Sequence, residues 1–148
     1  MNKCWIVSGY YINGFSAGHK ELLSWIREKM GEDDELIVII NNQLQQELKY
    51  KNKTRHFWEI CNMITPFLDS TFEHKYFLQK SLDRDRTVRE TLKYIKHWYL
   101  AKEFIMVNGG DVTENCPEEE VEGITFIYTG QPKISSSGEE KRDVTEEA

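Results

Sequence analysis

The chain has 148 residues, 39% of them hydrophobic and 12% aromatic, which suits one domain with a single core and excludes a wholly disordered chain. A formal net charge of -6 argues against a general nucleic-acid binder, which would present a basic face. Cys4, Cys61 and Cys116 are far apart and form no Cys-x-x-Cys pair, so reduced thiols are expected rather than a disulfide frame or a zinc site. No apolar run approaches the roughly 18 residues of a membrane span, and the opening residues lack a signal-peptide core. No membrane partner is expected, and the cytoplasm is the expected compartment.

Strand and helix signals alternate along the chain. Cys4 to Ser8 reads as a buried strand, followed by a helix from Lys20 to Met30 with Leu22, Leu23, Ile26 and Met30 on its apolar side. Glu35 to Ile40 is a continuous β-branched run, as central parallel strands are. The polar stretch from Asn41 to Thr54 reads as loop with some helix. A second helix is expected from Arg55 to Phe67 and a third strand from His74 to Gln79. Asp85 to Leu100 reads as helix, and Phe104 to Val107 as the fourth strand, ending in Asn108-Gly109-Gly110-Asp111. Glu118 to Val121 reads as a short helix, with Glu118-Glu119-Glu120 a solvated face. Ile124 to Tyr128 is the fifth strand. From Gly138 the chain carries five acids and two bases, the pattern of a frayed tail. The organisation predicted is a domain over 1–137 and an acidic tail over 138–148.

This alternation implies an α/β fold: a Rossmann-like, five-stranded parallel sheet with helices on both faces. Ligands gather at the carboxyl ends of such strands. The unusual segments fall there, foremost Gly9-Tyr10-Tyr11-Ile12-Asn13-Gly14-Phe15-Ser16-Ala17-Gly18-His19. A glycine-bearing turn that opens into a helix offers backbone N–H groups and partial positive charge to an anion. A histidine in the first helical turn adds a donor for phosphate.

Asn13-Gly14-Phe15-Ser16-Ala17-Gly18-His19 and the later Ile134-Ser135-Ser136-Ser137 resemble, in order, the two signatures of the nucleotidylyltransferase superfamily. That superfamily includes glycerol-3-phosphate cytidylyltransferase and phosphopantetheine adenylyltransferase. Leu36 to Asn42 with Leu48-Lys49, Asp83 to Leu92, and Asn108 to Glu118 are similar to stretches of small cytidylyltransferase-like proteins. Three departures stand out: Ser16 where histidine or threonine is usual, one extra residue between Gly9 and Asn13, and Lys133 where an arginine often precedes the serine run.

The resemblance implies transfer of CMP or AMP from CTP or ATP to a small phosphorylated acceptor, with release of pyrophosphate. Overall likeness favours CTP. It implies that His19, Ser16 and Lys49 (or Lys51) do the chemistry, the lysine on the acceptor phosphate or the α-phosphate. Gly9, Tyr10, Tyr11, Asn13, Gly18, Gly110, Asp111, Ile134, Ser135 and Ser136 would bind the nucleotide, and Mg2+ would arrive with the triphosphate. A homodimer is expected. A nucleotide-binding module without transfer activity is the alternative. Gly14-Phe15-Ser16-Ala17-Gly18 also fits the Gly-x-Ser-x-Gly elbow of serine hydrolases, a remote alternative because the expected strand ends several residues before Ser16.

Overall fold

The apolar runs become five strands joined by crossovers, and every neighbouring pair is parallel. The computed structural model describes residues 2–51, 53–110 and 115–130; the acidic tail lies outside them. In chain order the elements are β1 (Lys3–Gly9), α1 (Ala17–Lys29), β2 (Glu35–Ile40), α2 (Gln43–Lys49), α3 (Phe57–Phe72), β3 (Tyr76–Lys80), α4 (Arg89–Trp98), β4 (Glu103–Asn108), a 3-10 helix (Pro117–Glu120) and β5 (Ile124–Tyr128). The sheet order is β3-β2-β1-β4-β5. The order reverses about β1, which leaves a crevice between the carboxyl ends of β1 and β4.

Strand alternation divides the core in two. Val7, Val38 and Val107 face Leu23 and Ile26 of α1 and Ile60, Ile64, Leu68 and Phe72 of α3. Ile6, Ile37, Ile39 and Met106 face Leu92 and Ile95 of α4 and Val88 just before it. A sheet with helices on both faces is therefore the fold, as the alternation predicted.

Several boundaries differ from expectation. α1 begins at Ala17 rather than Lys20 because Ser16 caps it. α3 runs on to Phe72, through Pro66, because Leu68 and Phe72 continue the buried i+4 stripe of Ile60 and Ile64. α4 begins only at Arg89, because Asp85 and its neighbours form a turn held by Thr87. The run Glu118-Glu119-Glu120 is not simply a solvated face. Glu118 accepts the Val88 N–H at 2.9 Å and Glu120 pairs with Arg89 at 2.7 Å. Glu119 accepts the Tyr128 hydroxyl proton.

Candidate functional site

The turn after β1 is built around two positive backbone angles. Tyr11 has φ 52° and Gly14 φ 77°, and the Gly14 N–H donates to the Tyr11 carbonyl at 2.8 Å. A Cβ on Gly14 would sit 3.5 Å from that of Met63, so α3 closes over the turn. Tyr11 folds back along β1. A Cβ on Gly9 would lie 2.5 Å from its ring, so Gly9 makes room for Tyr11. Tyr11 is buried, and burial pushes its hydroxyl pKa up, so it acts as packing behind the turn rather than as a surface for a base. Its ring meets Phe15 at 5.1 Å and His19 at 4.9 Å, both edge-on.

Ser16 and His19 form a reciprocal cap. The Ser16 Oγ accepts the His19 N–H at 3.3 Å, and the Ser16 N–H donates to His19 Nδ1 at 2.9 Å. Histidine here takes the place that Glu or Gln fills in the usual capping box. Because Nδ1 accepts the Ser16 N–H, the ring proton sits on Nε2. The Ser16 hydroxyl accepts only its cap bond in this pair, so its own proton can be donated elsewhere. Gly18 is buried in the first turn, and helix geometry leaves the Ala17 and Gly18 N–H groups without intrahelical acceptors. No acidic side chain stands in that first turn. Ser16 has φ -77° and ψ 173°, an ordinary extended cap and not the strained turn of a hydrolase elbow.

The polar stretch after β2 wraps onto this turn. Gln46, fully buried, holds the Arg55 backbone from both sides: its Oε1 accepts the Arg55 N–H at 2.7 Å and its Nε2 donates to the Arg55 carbonyl at 3.1 Å. So fixed, Arg55 donates from Nε to the Ile12 carbonyl at 2.6 Å, and Lys53 Nζ donates to Asn13 Oδ1 at 2.7 Å. Lys49 Nζ lies 4.4 Å from the Tyr10 ring centroid and 5.5 Å from that of Tyr50. Tyr10 and Tyr50 themselves meet edge-on at 5.5 Å. Lys49, Lys53 and Arg55 thus border the turn that leads from β1 into α1.

The exit of β4 completes the crevice. A Cβ on Gly109 would lie 3.4 Å from Thr129 Oγ1 and 3.5 Å from Leu22 of α1, and Gly110 has φ 65°. Beside it, Asn108 donates to the Cys116 sulfur at 3.8 Å and the Tyr128 hydroxyl oxygen, 3.2 Å from that sulfur, accepts the Cys116 N–H, while burial pushes the thiol pKa up. Among the described residues no group of three His, Cys, Asp or Glu could hold a metal ion. No helix there is long and apolar enough to cross a membrane.

Of the residues singled out from sequence, Gly9, Tyr10, Tyr11, Asn13, Ser16, Gly18, His19 and Lys49 come together around one turn, with Gly110 at the exit of the neighbouring strand. Asp111, Lys133, Ile134, Ser135 and Ser136 lie outside the described residues. Lys53, part of the basic run from Lys49, and Arg55, which sequence reasoning left out, also reach this turn; the alternation of cations at 49, 51, 53 and 55 was a visible signal. No protein-family model matches the chain, and neither does any curated protein.

Proposed function

We propose that the chain is a nucleotidyltransferase that moves CMP, or AMP, from the magnesium complex of CTP or ATP to a small phosphorylated acceptor. The observation that carries this reading is the Ser16–His19 cap at the head of α1, beside the sheet's switch point and preceded by a turn that Lys49, Lys53 and Arg55 border. Such a transfer needs phosphates positioned in line and charge stabilised as it moves, with no covalent intermediate on the protein. The Ala17 and Gly18 N–H groups and His19 Nε2–H would take the triphosphate. Lys49 would hold the attacking phosphate against it. An acceptor oxygen attacks the α-phosphorus, the bond to the β-phosphate oxygen breaks, and pyrophosphate leaves with the electron pair. Mg2+ would arrive with the triphosphate.

The first test is thermal stability with CTP, ATP, GTP and UTP, each with and without Mg2+. A nucleotide at about 100 times its dissociation constant adds roughly 2.7 kcal/mol, a shift of several degrees. A shift with one nucleotide names the donor, whereas four flat results would sink the reading. In a pyrophosphate-release assay with phosphorylated polyols and sugars, His19→Ala should lose about 100-fold or more. Unchanged turnover would remove His19 from the chemistry. One observation favours the second reading, binding without transfer: Ser16 stands where histidine or threonine is usual and serves as the cap of α1. A nucleotide-dependent shift without pyrophosphate release from any acceptor would select it.

A further inference from the structure

Three of the four described α-helices tie the backbone N–H of their N-cap residue to the side chain three places on. For α2 the Asn42 N–H donates to Gln45 Oε1 at 3.0 Å, and for α3 the His56 N–H donates to Glu59 Oε1 at 3.1 Å. For α1 the acceptor is an imidazole nitrogen, His19 Nδ1. The difference is chemical. An amide oxygen accepts across the whole working range of pH, and a carboxyl group keeps acceptor capacity even when protonated. A protonated imidazole carries hydrogen on both nitrogens and accepts nothing, so no flip of the ring restores the bond.

The described surroundings work against that proton as well. A charge on His19 would stand in the first turn of α1, where the helix dipole opposes a cation and no acidic side chain offsets it. From the turn, Tyr11 and Phe15 set ring edges against the imidazole, at 4.9 and 6.0 Å between centroids. Lys20 and Glu21 follow on α1, and Lys53 and Arg55 bond to the turn before it. α2 carries Glu47 and Lys49. The charged residues of α3 are Glu59, which faces Arg55 at 3.6 Å, and Asp69, bonded to Tyr76. We propose that the Ser16–His19 box is an acid-released catch, which holds the head of α1 while the ring is neutral and lets go when the ring takes a proton. The unfolded chain takes that proton near pH 6.5, whereas the folded chain must give up the bond to do so. Stability from the box is therefore complete above that value and lost as pH falls below it. On the nucleotide reading the same proton frees the ring from its place beside the phosphates, but the catch itself does not rest on that reading.

Two measurements on the full chain test it. Between about pH 8 and about pH 5.5 the wild-type thermal midpoint should fall by roughly 3–6 °C, about a tenfold loss in the folding equilibrium. His19→Gln gives α1 the closure that Gln45 gives α2, so it should match the wild type at the upper pH and stay level to the lower. His56, His74 and His97 are exposed and common to both proteins, so the comparison isolates His19. In nuclear magnetic resonance spectra of the wild type, the Ser16 amide should shift together with the His19 ring as pH falls, and the Asn42 amide should stay in place. A level wild-type midpoint overturns the proposal, as does a His19→Gln midpoint that falls alongside it. Ser16 and Asn42 amides that respond alike overturn it too, whatever the stability of the variant. None of these readings involves a nucleotide, so the transfer reading can fail without touching them.

Discussion

Gly9 and Tyr11 show how a single missing side chain sets up the crevice. The ring of Tyr11 occupies the space a Cβ on Gly9 would need, and it is pinned there by Phe15 and His19. Gly9→Ala should therefore cost about 1–3 kcal/mol, the range for overpacking a filled site, and lower the thermal midpoint accordingly. Since the displaced ring backs onto His19, nucleotide-dependent stabilisation should fall along with it. A variant with the wild-type midpoint would show that Tyr11 can move aside freely. The residue scale is also where sequence reading reached furthest. A helix start beside His19 was legible but was placed three residues late, at Lys20, because histidine stands where a capping box usually carries Glu or Gln. That Gly9 serves Tyr11 was not legible, because the contact depends on the positive φ of Tyr11, which a tyrosine seldom adopts.

At the scale of elements, α4 is started by a residue well before it. Val88, at its N-cap, makes no side-chain cap bond. Asp83 supplies it instead: its carboxylate accepts the Glu90 N–H at 2.8 Å, the Thr91 N–H at 3.0 Å and the Thr91 hydroxyl at 2.5 Å. α2 holds the same connection from the other side. Asn42 donates to the Ser81 and Asp83 carbonyls, and Gln45 to those of Asp85 and Thr87, at 2.7–3.0 Å. Asp83→Ala should cost about 2–3 kcal/mol, since it strips several bonds to one buried carboxylate, and Asp83→Asn should cost less because one acceptor remains. Equal losses in urea unfolding would show that charge, not acceptance, is what α4 needs. The strands and the α3 stripe could be read from periodicity, which records burial on one face. The Asn42, Gln45 and Gln46 clips could not. Amides anchoring distant backbone follow no period, so a polar stretch that reads as loop with some helix also holds a buried fastening at Gln45 and Gln46.

Across the whole molecule, Asp34 ties the amino end of the sheet together. Its carboxylate accepts the Lys3 and Gly31 N–H groups, each at 2.8 Å, and the Trp5 indole N–H at 3.1 Å. Burial alone would raise its pKa. The bonds from Gly31, Lys3 and Trp5, with the Lys3 charge, outweigh burial and hold it below the ordinary value. A folded-state pKa below the unfolded one, near 3.9, means stability that is complete above that value and lost as pH falls through the depressed one. The thermal midpoint should therefore drop between about pH 5 and pH 2, and Asp34→Asn should show a smaller drop from a lower starting point. An identical pH profile in the variant would assign the acid sensitivity to other carboxylates.

The place of β1 in the middle of the sheet has a further consequence, for the chain as it is being made. One edge of β1 is met by Glu35 to Ile40 soon after it appears, but the other waits for β4, where Lys3 pairs with Glu103, one hundred residues later. At about 5–20 residues per second, that edge stays open on the ribosome for roughly 5–20 s. Through that interval the half-built sheet presents one unpaired edge of an apolar strand. Its safe completion then depends on the speed of translation, or on a chaperone that holds the edge until β4 arrives.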